Sequence, residues 1–88
     1  MKRPAAIDIL AARIEGAAIG HLVRASLELD VAHAAIGAVG VDLEDARPRF
    51  YLALGRRTQA YLALDAVRDQ IRTLRQEEYL RSEIVAAR

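Results

Sequence analysis

Along the first half of the chain one stripe of residues recurs at steps of three and four: Ile7, Leu10, Ile14, Ala17/Ala18, His21/Leu22, Ala25, Leu29, Ala32, Ile36 and Val39. That spacing matches the 3.6-residue period and predicts helix with one apolar face. The stripe runs through Gly16 and Gly20. An interior glycine costs about 1 kcal/mol relative to alanine, so a break is expected near Gly20, with Asp30 as an alternative cap for a second helix. Pro4 suits a first helical turn. The segment VGVDLEDAR, Val39 to Arg47, reads as a connection, with Gly40 as C-cap and Asp42 or Asp45 as N-cap. With Asp45 as the cap, Pro48 falls at the third helical position, where a missing N–H is tolerated.

The second half repeats the stripe through Phe50, Leu54, Thr58, Tyr61, Leu64, Val67, Ile71 and Leu74. Arg68, Asp69, Arg72, Arg75 and Gln76 take outward positions, and Asp65–Arg68 and Asp69–Arg72 form supporting i,i+3 pairs. Gly55 marks a second expected break, with Thr58 capping the next helix. Without that break, one helix would run from about Ala46 to Ala86, roughly 60 Å at 1.5 Å per residue. Such a helix is too long for a compact monomer.

The two halves also resemble each other. Gly20–Ile36 and Gly55–Ile71 agree at Gly20/Gly55, Ala25/Ala60, Leu27/Leu62, Leu29/Leu64, Asp30/Asp65 and Ile36/Ile71, and IDILAAR, Ile7–Arg13, is echoed by VDLEDAR, Val41–Arg47. A period of about 34 residues with two helices per unit is a repeat-protein pattern. Tyr51, Gly55, Ala60, Leu64 and Val67 have the spacing of the signature Tyr, Gly, Ala, Phe and Ala of the tetratricopeptide repeat, which the second copy resembles. The first copy matches at Gly20, Ala25, Leu29 and Ala32. Pro48 departs from the family's small mid-helix residue, its aromatic there is absent, and Gly16 replaces its Tyr. Units of this kind cannot bury their apolar faces alone.

Composition narrows the class. Of 88 residues 53% are hydrophobic and 28% charged, which places the chain among folding sequences. Its apolar content is mainly Ala, Leu, Ile and Val, and without Asn it has no Asn-Gly hairpin turn. The fold class is expected to be all-α: antiparallel helix pairs in one domain, a helical hairpin or bundle, with two degenerate repeats plus a C-terminal helix as the variant. Absence of Cys removes disulfides, thiolate metal sites and thiol nucleophiles. The N-terminus begins like a signal peptide with Lys2 and Arg3, but Asp8, Arg13 and Glu15 interrupt its apolar region. The uncharged run Val31–Val41 falls short of the roughly 20 residues a membrane span needs. A soluble, cytoplasmic protein is expected, and the preference for Arg over Lys points to a GC-rich bacterial genome.

Net charge is +1, unevenly placed. In residues 1–45, Lys2, Arg3, Arg13 and Arg24 face Asp8, Glu15, Glu28, Asp30, Asp42, Glu44 and Asp45, whereas residues 46–88 hold nine Arg against Asp65, Asp69, Glu77, Glu78 and Glu83. Opposite-signed halves attract, within one chain or between two.

Candidate chemistry is sparse. His21 and His33 are twelve residues apart on a helix and do not converge on a metal. Ser26, Asp30 and His33 share a face, yet three residues of one regular helix do not aim a nucleophile at a base beside an oxyanion hole. GAAIG, Gly16–Gly20, has the spacing for close helix approach, and no phosphate-binding glycine loop occurs. The expectation is therefore no catalytic residue, no cofactor and no metal. RPRFYLALGRR, Arg47–Arg57, is the richest surface segment, interleaving arginines with Phe50 and Tyr51. Arg and Tyr are favoured at interface hot spots, so Arg47, Arg49, Tyr51, Arg56, Arg57 and Tyr61 are the candidate partner-binding residues. The function expected from these features is a non-catalytic protein–protein interaction module: an adaptor, chaperone or regulator of a larger protein, binding another protein or itself as a homodimer. The alternative is a small helix-turn-helix DNA-binding regulator with Thr58–Arg68 as recognition helix. A nearly neutral chain disfavours that alternative.

Overall fold

A computed structural model describes residues 6–87; Lys2, Arg3 and Pro4 lie outside them. Two α-helices account for nearly all of this span, α1 over Ala6–Ile36 and α2 over Leu43–Ala86, packed side by side as an antiparallel hairpin. The all-α expectation holds, and helix fills well over two-thirds of the chain.

The helices turn where the sequence is richest in turn chemistry. Gly40 takes φ +78°, a left-handed conformation that glycine adopts without a Cβ clash. Asp42 is extended, and its Oδ1 accepts from the Glu44 N–H at 3.0 Å, capping α2. Asp45 is therefore inside the helix, and Pro48 sits at its sixth position rather than its third. The proline has no N–H to offer the Glu44 carbonyl, and both residues are exposed.

None of the expected breaks occurs: α1 passes through Gly16, Gly20 and Asp30, and α2 through Gly55 and Thr58. The Thr58 hydroxyl, instead of capping a new helix, donates back to the Leu54 carbonyl at 3.0 Å. Packing along both helices outweighs the local cost of glycine, as tertiary context commonly does. The long-helix alternative is the one realised.

The seam between the helices is built largely of alanine. Ala11, Ala18, Ala25 and Ala32 follow one another at seven-residue steps on α1, as do Ala46, Ala53 and Ala60 on α2; all are buried or half-buried. Leu64 and Ile71 are the large side chains most fully enclosed. Such heptad spacing keeps one narrow line of each helix facing its neighbour, and alanine on that line lets the backbones approach closely. The sequence stripe had the right period but partly the wrong phase. Leu10, Leu54 and Tyr61 are exposed beside the seam, while Ala11, Ala53 and Ala60 are in it.

The hairpin is a single layer, measuring 72 × 25 × 11 Å. Its least dimension is one helix diameter, so each broad face of the ribbon is covered only by its own side chains.

Candidate functional site

Along one broad face a ladder of ion pairs links the helices. Arg75 reaches Asp8 at 3.3 Å, and Arg68 reaches Glu15 at 3.5 Å. The acids are seven residues apart and so are the arginines, so antiparallel register repeats the same rung. Continuing it toward the turn sets Leu22 opposite Tyr61 and Leu29 opposite Leu54. This ladder face thus carries its ion pairs in the open half, with exposed Tyr79 and Leu80 beyond them, and is apolar in its turn half, where Ile19, Leu54, Tyr51 and Tyr61 are exposed. Phe50 lies between His33 and Tyr51, its ring centroid 5.8 Å from the first and 5.7 Å from the second.

Glu28 and Leu29 flank the alanine seam on opposite sides. Glu28 therefore belongs to the other broad face, where it pairs with Arg56 at 3.8 Å. Here Leu27, Val31, Ala35, Val41 and Leu52 line a shallow groove beside the turn, with Glu28, Asp45, Arg49 and Arg56 along its rim. Leu27, Val31 and Leu52 are 58%, 71% and 57% exposed.

Five of the six candidate partner-binding residues divide between these two faces and the sixth lies between them, because each residue advances 100° around a helix. Arg47 and Tyr61 share the line of Leu54, Arg68 and Arg75, with Tyr51 beside it. Arg49 and Arg56 rim the groove, Arg49 paired with Asp45 at 3.4 Å. Arg57 takes the seam line itself, and its Nε donates to the Ser26 Oγ at 3.4 Å. Asp69–Arg72 forms as expected at 3.2 Å, but Arg68 crosses to Glu15 rather than joining Asp65.

The groove residues Leu27, Val31 and Leu52 were not singled out by sequence reasoning, nor were Asp8, Glu15 and Glu28 as cross-helix partners. The acidic first half and basic second half carried the signal for those partners; what was missing was the register that pairs them. The Ser26 hydroxyl accepts from Arg57, and the His33 ring packs against Phe50. Among the described residues no group of three or more His, Asp and Glu side chains is placed to hold a metal ion. No helix among them is long and apolar enough to cross a membrane.

Comparison with known proteins finds no matching family model, no matching curated protein and no matching solved structure.

Proposed function

We propose that the protein is a small, non-catalytic protein–protein interaction module, an adaptor, chaperone or regulator of a larger protein, working in the bacterial cytoplasm. The observation that carries this reading is uncovered surface. The chain exposes 7322 Å², whereas a globular monomer of 9.7 kDa exposes roughly 5,100 Å², leaving about 2,200 Å² in excess. Exposed leucine, valine, isoleucine and tyrosine lie on both broad faces, and apolar surface rimmed by charge marks association sites. The arginines and tyrosines beside them are residue types that dominate binding energies.

A helix-turn-helix reader would need a turn near Gly55–Arg57, and α2 is continuous there. The two functions separate at Arg49, Arg56 and Arg57. If the chain binds protein, sedimentation velocity and capture from host extract treated with nuclease should reveal a complex at moderate salt, weakened by the triple Ala substitution. A wild-type mobility shift with duplex DNA at about 150 mM salt, discriminating between sequences and abolished by that substitution, would establish the DNA-binding reading instead. A chain that stays alone under all these conditions would defeat both.

A further inference from the structure

We infer that the ladder face is covered by a second copy of this chain, stacked with both turns at the same end, so that α1 of each copy lies over α2 of the other. The inference rests on the interaction-module reading and names its partner and geometry. A ribbon one helix thick gains a two-layered core by stacking on a copy of itself. The excess of about 2,200 Å² per chain is shared by two broad faces, and half of it from each of two chains makes about 2,200 Å², at the lower end of the 2,000–5,000 Å² buried in obligate dimers.

Two features of the face select the orientation. The first is charge. On this face α1 presents Asp8 and Glu15. Opposite them α2 presents Arg68, Arg72 and Arg75, with Arg47 nearer the turn and Asp65 as the lone acid among these positions. A two-fold axis along the hairpin sets the acids of one copy over the arginines of the other. An axis across the hairpin sets α1 on α1 and α2 on α2 with the ends reversed, so that Asp8 and Glu15 of one copy meet the turn half of the other and find no arginine opposite them. The rungs Asp8–Arg75 and Glu15–Arg68 keep about half of each side chain open to solvent, except for the more covered Glu15. They can therefore extend into four-membered networks.

The second feature is the gradient of polarity. Ile19, Leu22, Leu29, Leu54 and Tyr61 occupy the turn half of the face and the ion pairs the open half, with exposed Tyr79 and Leu80 beyond them toward the end of α2. The lengthwise axis keeps every residue at its own level, laying apolar half on apolar half. The crosswise axis would seat Leu54 and Tyr61 on the charged rungs. Both features favour the same arrangement. The groove face has no such division: there α1 mixes Arg24 with Glu28, and α2 mixes Arg49 and Arg56 with Asp45.

The test uses Val39→Cys, a fully exposed turn position, carrying a nitroxide label in the full chain. Pulsed dipolar spectroscopy should give an intermolecular distance of roughly 20–40 Å, set by interhelical spacings of 8–10 Å plus the label arms. Tyr61→Glu should abolish it, and Leu52→Glu on the opposite face should leave it. Both positions are more than half exposed, and far-UV circular dichroism verifies that each variant remains helical. Ile19→Glu provides a second disruption from α1 should Tyr61→Glu unfold. A distance approaching the 72 Å length of the hairpin, or loss of the signal in Leu52→Glu alone, overturns the geometry. A monomer with no dipolar signal overturns the inference entirely. The interaction-module reading would survive that last result if the monomer binds a different protein, and would fall with it if it binds none.

Discussion

Arg57 stands on the line that α2 turns toward α1, seven residues after Phe50 and seven before Leu64, where the flanking positions are apolar. Its guanidinium escapes sideways to Ser26, leaving the aliphatic stem along the seam beside the small side chains of α1. A polar residue on an apolar seam fixes register at some cost in stability. Arg57→Leu is therefore expected to raise the thermal midpoint, read by circular dichroism at 222 nm, while weakening the preference for one register. Ala53→Leu should act in the opposite direction. Ala53 is buried, and extra methylenes in a close-packed seam cost about 1–3 kcal/mol, seen as a lower denaturant midpoint at unchanged slope. These residues also show what the sequence concealed. Leu54 and Tyr61 carry more apolar area than Ala53 and Ala60, so a stripe drawn by apolar area follows the larger side chains. Helices that approach closely select the smaller ones, and the true seam lies one residue away.

At the scale of the helix, the glycines that suggested breaks have open space where a side chain would go: a Cβ at Gly16, Gly20 or Gly55 would meet nothing within 4 Å. Gly20→Ala and Gly55→Ala should each stabilise by about 1 kcal/mol, the propensity difference, moving the midpoint up by roughly 4–8 °C. A drop would show that the helices bend or open there. Gly40→Ala should destabilise, since its φ of +78° strains any residue with a Cβ. Helical period, the turn and a cap at Asp42 or Asp45 were legible because each has a local cause, and the structure selects Asp42. Continuity through Gly20 and Gly55 was not, because it depends on the neighbouring helix. The internal similarity gains a physical basis here. The twin segments are displaced by 35 residues, five heptads, so Ala11/Ala46, Ala18/Ala53 and Ala25/Ala60 occupy equivalent seam positions in the two helices.

For the molecule as a whole, the acidic first half and basic second half meet within one chain through Asp8–Arg75, Glu15–Arg68 and Glu28–Arg56. Composition revealed the asymmetry but left open whether it acts within or between chains, since that depends on turn length and register. All three pairs are substantially solvent-exposed. Such pairs are worth about 0.2–1 kcal/mol each and are screened by salt. Asp8→Asn combined with Glu15→Gln should therefore cost at most about 2 kcal/mol in dilute buffer, and most of that difference should vanish near 1 M NaCl. A penalty insensitive to salt would mean that these carboxylates act through packing or hydrogen bonds rather than charge.

The Gly37–Asp42 turn is the only covalent joint between the helices, and it lies at one end of a 72 Å ribbon. Contacts across the seam therefore close ever larger loops with distance from it, spanning 31 residues at Ser26–Arg57 and 67 at Asp8–Arg75. Closure entropy grows with that separation, so the hairpin should zip from the turn and fray from the open end. Amide hydrogen exchange should record this as a slope, with the slowest amides near Ala25, Ala53 and Ala60 and progressively faster exchange toward Ala6 and Ala86. The hairpin then behaves as a graded spring, with stability varying along its length, and a partner that grips the open end does most to lock it.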